Sequence, residues 1–178
     1  MAKGIREIEL KVLSELMKSA RMSDRELAKR LGVSQPTVSR IRNKFEKLGY
    51  IKEYTYMPDF VKLGYNMMAM IFVKRAQEYA KEDNGALFRE ADKWKGKTGF
   101  DTVMAMRGMG MGYDAVIISF HESYSAFLER LREIKQFPYI DVERIDSFIV
   151  DLHDKALYRP LTLSTLAQHM LTLRKTQQ

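Results

Sequence analysis

The stretch SDRELAKRLGVSQPTVSRIRNKFEKLGYI constrains the fold most, because it contains two helix starts separated by one glycine turn. Ser23 and Glu26 have the spacing of a capping box, and Gly32 suits the left-handed position that follows a helix. Ser34 is suited to cap a second helix two residues later. A turn this short leaves no slack for antiparallel helices. The pattern therefore predicts a helix-turn-helix, preceded by a further helix from Ile5 onward.

The second helix of this pair, residues 34–48, has two different sides on a helical wheel with about 100° per residue. Its apolar side contains Val38, Ile41, Phe45 and Leu48. The other side contains amide and guanidinium groups, which match base edges, and hydroxyl and ammonium groups, which match phosphates. The residues predicted to contact DNA are Ser34, Gln35, Pro36, Thr37, Ser39, Arg40, Asn43, Lys44, Lys47 and Lys52. The alternative for this helix is an ordinary solvated amphipathic helix.

The charge of the chain is concentrated near this helix pair. The net charge is +7, and residues 1–65 contain 14 Lys or Arg against 8 Asp or Glu. This asymmetry favours a polyanion-binding module joined to a nearly neutral one, although a solvated basic surface is the alternative.

Cysteine is absent, which excludes disulfides and thiolate metal sites. No apolar run of about 18 residues exists, so we expect a soluble cytoplasmic protein without a membrane partner.

The rest of the chain predicts an α+β organisation. Alternating aromatic and charged residues in YIKEYTYMPD predict a strand, the beginning of a wing, and Pro58 and Gly64 mark a hinge at residues 58–66. Strand patterns then follow in MMAMIFVKR, FDTVMAMRG, YDAVIISF and VERIDSFIVDL. Helix patterns lie around Ala86–Trp94 and in ESYSAFLERLREIKQF, with Tyr124, Phe127, Leu128, Leu131 and Ile134 on one face of the latter. The order β-α-β-β-α-β predicts a C-terminal ferredoxin-like domain after an N-terminal winged helix-turn-helix.

We accordingly predict a DNA-binding domain at 1–57, the hinge at 58–66, a second domain at 67–158 and a helical extension at 159–178. In the extension, Leu163, Leu166, Met170 and Leu173 follow helical spacing, which predicts packing on its own domain or on a neighbouring subunit. The methionines of the strands are expected to pack in the core rather than to bind Cu(I).

Two segments, LGVSQPTVSRIRNKFEKLGYI and PDFVKLGY, resemble the Lrp/AsnC (leucine-responsive/asparagine regulator) family of transcription factors, and the resemblance covers most of residues 5–158. It implies a transcriptional regulator that binds double-stranded DNA as a homodimer or higher homo-oligomer. It also implies a second domain that pairs protomers and binds a small-molecule effector, commonly an amino acid, near its central hairpin. On the matching segment GMGMGYD, the implied effector-binding residues are Gly108, Gly110, Gly112 and Asp114. An extra Met-Gly repeat in this segment departs from the family pattern.

No nucleophile–base arrangement, acid/base pair or metal-ligand spacing is evident, so neither an enzyme, a cofactor nor a metal site is predicted. Two alternatives stay open beside the regulator. One is an architectural DNA-binding protein without an effector, and the other is a tetrapyrrole decarboxylase-like enzyme on the same fold.

Overall fold

A computed structural model describes residues 5–79, 102–156 and 162–175 of the chain. Two compact units are present, one formed by residues 1–57 with 158–178 and the other by residues 58–157. The helix predicted around Ala86–Trp94 lies outside the described residues.

The first unit begins with three helices: α1 (Glu7–Lys18), α2 (Asp24–Leu31) and α3 (Gln35–Lys47). The predicted caps are present. Ser23 and Glu26 form a capping box, and Gly32 ends α2 with a φ of +67°. Ser34 accepts a hydrogen bond from the backbone amide of Thr37 at the start of α3. The helix-turn-helix predicted from these local signals is therefore confirmed.

The core of these three helices is formed by apolar side chains that are shielded from solvent. Val12, Leu27, Val38 and Phe45 are completely buried. Leu48, predicted on the same side as Val38 and Phe45, is instead 61% exposed. The reason is that α3 ends at Lys47, so Leu48 occupies the C-cap and no longer follows the direction of the helix.

The strand predicted in YIKEYTYMPD is wrong for this structure. Residues 51–59 have no ladder partner in the described part of the chain, and residues 52–59 are exposed. A strand requires a neighbour for its N–H and C=O groups, and alternating residue types do not provide one. Tyr54 is held instead by its hydroxyl, which donates to Glu46 at 2.6 Å.

The second unit contains an antiparallel sheet of β1 (Met67–Arg75), β2 (Thr102–Gly110), β3 (Tyr113–His121) and β4 (Ile140–Asp151). The strand order is β2-β3-β1-β4. A short 3₁₀ helix, Gln77–Tyr79, follows β1, and helix α4 (Tyr124–Lys135) lies between β3 and β4. Together with the first unit, this sheet confirms the predicted α+β fold of an N-terminal helix-turn-helix and a C-terminal ferredoxin-like domain.

One face of the sheet is covered by α4. Phe127 and Ile134 of α4 pack with Ala69, Ile71 and Val73 of β1, all of them buried. Tyr124, predicted on this face, is 56% exposed because it lies at the first position of the helix.

Residues 58–66, predicted as a hinge, lie in the second unit. The ring of Phe60 stacks on Phe120 with 4.0 Å between centroids, and Tyr65 meets both rings edge to face. Phe60 and Tyr65 therefore anchor this segment on the sheet unit, whereas all of the preceding residues 52–57 are exposed.

The C-terminal extension contains helix α5 (Ser164–Lys175), which belongs to the first unit. Ala167 of this helix is completely buried, while Leu163 and Leu166, predicted on the packed side, are 52% and 49% exposed. Across residues 5–79, 102–156 and 162–175, none of the helices has the length and apolar character needed to cross a membrane.

Candidate nucleic-acid interface

The exposed side of α3 is formed by Gln35, Arg40, Asn43 and Lys47. Within the described residues, none of these four side chains makes a hydrogen bond, and neither Arg40 nor Lys47 makes an ion pair. The opposite side of the same helix is fixed by Val38, Ile41 and Phe45 in the core. These polar groups are therefore presented to solvent on a helix whose rotation is set by packing.

The first turn of α3 uses its hydroxyl groups internally. The hydroxyls of Ser34 and Thr37 lie 2.8 Å apart, and Ser34 also caps the Thr37 amide. Pro36 is exposed in this turn. Both hydroxyl groups remain at the surface, but each already has a partner.

Ser39, a predicted DNA contact, points towards α2 in this structure. Its hydroxyl donates to Asp24 Oδ2, and Arg42 pairs with Asp24 Oδ1 at 2.7 Å. Arg42 also donates to the backbone carbonyl of Met22 at 3.0 Å and lies over the Tyr54 ring. Asp24 thus holds α3 against α2, which local sequence spacing did not indicate.

Lys44, another predicted DNA contact, is paired with α1. Its Nζ lies 2.9 Å from Oε1 of Glu9, a side chain with no solvent exposure. Burial alone would raise the pKa of Glu9. The hydrogen bonds from Lys44, and from the backbone and guanidinium of Arg6, outweigh that effect and lower the pKa from 4.5 to about 2. Glu9 is therefore a buried anion that joins α1 to α3.

A third carboxylate joins α1 to α2. Glu15 accepts from Lys18 at 2.5 Å and from Arg30 at 2.7 Å. The hydrogen bond from Lys18 is the largest influence on the pKa of Glu15 and lowers it, burial opposes this, and Arg30 lowers it further. Each pair of the three helices is consequently connected by a carboxylate on one helix and a cation on the other. The remaining predicted contact, Lys52, lies exposed beyond the end of α3.

The predicted effector site lies at the β2–β3 hairpin. Gly110 pairs with Tyr113, which leaves Met111 and Gly112 as a two-residue turn with φ angles of +50° and +82°. This is the geometry of a type I′ turn, which favours Asn or Gly at both positions. The side chains of Met109 and Met111 are largely exposed here, contrary to the expected core packing. Gly108 lies on β2 with open space beside it.

Asp114 is already occupied by neighbours on β1. Its carboxylate accepts from the Arg75 backbone amide at 2.9 Å and from Lys74 Nζ at 3.2 Å. Burial alone would raise the pKa of Asp114, but these two hydrogen bonds lower it below its usual value. An incoming ammonium group would therefore compete with Lys74.

The described residues leave an apolar part of the sheet face opposite α4 uncovered around Phe148. The strand register places Met104, Ile118, Met70 and Phe148 in one cross-strand row. Phe148 is 59% exposed. Exposed apolar faces of this kind mark interaction surfaces.

The described residues contain no cluster of potential metal ligands. His121 is buried, with Nε2 2.8 Å from the Ser119 hydroxyl, and His153 bonds to Asn66.

Comparisons with known proteins agree with this geometry. The winged helix-turn-helix DNA-binding family matches residues 5–52. An uncharacterized HTH-type transcriptional regulator of Pyrococcus furiosus is 33% identical over 86 residues, which is 48% of this chain and 58% of that protein. The regulator LrpC of Bacillus subtilis is 40% identical over 58 residues, 33% of this chain and 40% of LrpC. The chain spans about half the length of the curated relatives it matches, for example 45% of a second Pyrococcus furiosus regulator.

Solved structures extend the similarity in fold to most of the chain. AsnC of E. coli has a TM-score of 0.65 at 23% identity, covering 88% of this chain and 97% of AsnC. A transcriptional regulator of Neisseria meningitidis, solved as a complex with L-Met, has a TM-score of 0.69 at 18% identity and covers 90% of this chain and 98% of its own. The resemblance found in the sequence is confirmed: residues 5–52 match the winged helix-turn-helix DNA-binding family, LrpC is among the similar proteins, and the chain has the fold of the Lrp/AsnC regulators.

Proposed function

We propose that this protein is a sequence-specific DNA-binding transcriptional regulator that acts in the cytoplasm, without a catalytic role. The observation that carries the proposal is the exposed side of α3, where Gln35, Arg40, Asn43 and Lys47 have no competing polar partner among the described residues. Helix-turn-helix proteins place such a second helix in the major groove. The matched relatives, which are named as transcriptional regulators, support the same function.

The contacts divide the predicted residues into two groups. Arg40 and Asn43 are free to pair with guanine and adenine edges, for which guanidinium and amide groups are the usual partners. Lys47 and Lys52 are free to neutralise phosphates. Ser39 and Lys44 are bonded to Asp24 and Glu9, so their contribution to DNA binding is smaller than their sequence positions suggest.

The test is a competition titration with a DNA site selected from random double-stranded sequences. Arg40→Ala is expected to cost about 1–3 kcal/mol of specific binding and to relax preference at one base position. Arg132→Ala is the matched control, because Arg132 is exposed on α4 and its loss changes the net charge equally. If Arg40→Ala binds the selected site as tightly as Arg132→Ala does, the assignment of this side of α3 to base reading is wrong.

We further propose that the protein binds DNA as a homodimer. The open sheet face around Phe148 and Met70 supports this, because an apolar face of a sheet is normally covered by a partner. A second copy of the chain presents the same face and therefore complements it. The two α3 helices would then reach successive major grooves of a pseudo-palindromic site.

The proposed effector is an amino acid bound at the β2–β3 hairpin. The N. meningitidis regulator with bound L-Met supports this chemistry. Gly108 and Gly110 have open space beside the hairpin backbone, whereas the Arg144 guanidinium lies against Gly112. Asp114 supplies a carboxylate for an ammonium group once Lys74 is displaced.

Calorimetry against the twenty amino acids, with and without the selected DNA, tests the effector. Asp114→Ala is expected to abolish the effector-dependent change in DNA affinity and to leave the affinity without effector unchanged. Glu129→Ala, an exposed carboxylate on α4, should keep the response. Because coupling is reciprocal, DNA must shift the effector affinity by the same factor.

The architectural DNA-binding alternative is favoured by one observation, the existing pairing of Asp114 with Lys74 and Arg75. If no amino acid binds below millimolar concentration, this alternative replaces the amino-acid sensor.

A further inference from the structure

Helix α1 is buried on two opposite sides. Val12 and Leu16 face the core shared with α2 and α3. Ser14 points about 160° away from Val12 and Leu16 around the helix. An outward-facing serine on a surface helix is ordinarily solvated, yet Ser14 has no exposure.

The element that covers Ser14 is α5. The Ser14 hydroxyl donates to the backbone carbonyl of Ala167 at 3.0 Å, and Ala167 also has no exposure. Two small residues at this contact allow the helices to approach closely. Met170 and Leu171 are half-buried beside it. The contact thus combines close packing with one buried hydrogen bond.

The position of α5 in the chain makes this contact consequential. The sheet unit ends at residue 157, and the chain then returns to the first unit. The sheet unit is therefore connected to the DNA-binding helices in two ways. One connection is the exposed segment 52–57, and the other is α5. On its other side α1 holds α3 through the Glu9–Lys44 pair.

We propose that α5 is a latch: it docks on the Ser14 side of α1, and through it the sheet unit holds and adjusts the DNA-binding helices independently of residues 52–57. This rests on the proposed function only where DNA affinity is the readout. The docking itself is independent of what the protein binds. In this account the DNA-binding module of the chain comprises α1, α2, α3 and α5.

The docking of α5 on α1 is tested by cutting the chain within residues 52–57, the other connection between the sheet unit and the DNA-binding helices. A protease site is inserted between Tyr56 and Met57 of the full chain, where both flanking residues are exposed. After cleavage, the fragment with α1–α3 is expected to co-elute with the fragment carrying the sheet and α5 in gel filtration at micromolar concentration. Separation of the wild-type fragments under these conditions overturns the latch.

Three variants make the test specific. Ala167→Glu places a charged side chain against Ser14 and should weaken fragment association at least tenfold. Gln168→Glu changes the charge equally on the exposed side of α5 and should leave it intact. Ser14→Ala, which removes the hydrogen bond without adding bulk, should weaken association by a few-fold. Equal association in Ala167→Glu and Gln168→Glu contradicts the assigned contact.

The proposed effect of α5 docking on the DNA-binding helices is tested in the uncleaved protein. Ala167→Glu should change affinity for the selected DNA several-fold and increase hydrogen exchange in α1, whereas Gln168→Glu should change neither. Unchanged DNA affinity and exchange in Ala167→Glu overturn the regulatory role. If the wild type selects no DNA sequence, the proposed function fails, and the fragment experiment still decides whether α5 docks.

Discussion

Replacing Glu9 by Gln removes the buried charge that joins α1 to α3. The side chain of Glu9 has no exposure and accepts hydrogen bonds from Lys44 and Arg6. Gln keeps the size and nearly the same helix propensity, so the change isolates the charge. Lowering the pKa from 4.5 to about 2 corresponds to about 3 kcal/mol of stability near neutral pH. Lys44 and Arg6 are 43% and 71% exposed, so water can solvate both cations after the substitution. The loss of their partner therefore adds little to the cost in stability.

The pH dependence of this contribution has a definite sign. The folded-state pKa of Glu9 lies below its value in the unfolded chain, so the unfolded chain binds the proton more readily. The stabilisation is complete above about pH 4.5 and is lost as the pH falls towards about 2. The stabilities of wild type and Glu9→Gln should therefore converge over that interval.

Hydrogen exchange of the α1–α3 amides, measured across a urea series, reports the unfolding free energy of this unit. Glu7→Gln is the control, because Glu7 lies on the same helix, is 65% exposed and pairs with Lys11 at the surface. Its cost is expected to be at most about 1 kcal/mol. If Glu9→Gln is as stable as Glu7→Gln at pH 7, or if the difference persists at pH 2, the buried anion does not act as described.

Lys47→Ala should weaken binding to all DNA sequences alike and reduce the slope of log affinity against log salt by about one unit. Lys44→Ala should change this slope less, because Lys44 is paired with Glu9. Salt titrations of the two variants distinguish them, and equal slopes would contradict the pairing. Phe148→Asp should convert the dimer to a monomer in light scattering at micromolar concentration, because it places a charge on the open sheet face, while Tyr124→Asp, at a similarly exposed aromatic residue on α4, should not. A dimeric Phe148→Asp would locate the interface elsewhere.

The sequence by itself determined the features that depend on neighbours a few residues away. The Ser23–Glu26 capping box, the Gly32 turn and the Ser34 cap all connect residues within one or two helical turns. The side of α3 that enters the core follows from helical periodicity alone. The strands of the sheet unit were also predictable, because long apolar or alternating runs have few other stable conformations.

Only the tertiary structure decided which polar groups of α3 are free. Ser39 meets Asp24 across 15 positions and Lys44 meets Glu9 across 35, so no local spacing marks either pair. Ser14 and Ala167 are 153 positions apart, so no local spacing marks this pair either. Because of this contact, the packed side of α5 contains Ala167 rather than the predicted Leu163 and Leu166. The strand predicted after α3 failed for a related reason. Periodicity fixes which residues share a face of an element, but long-range packing supplies the partner that the face or backbone meets.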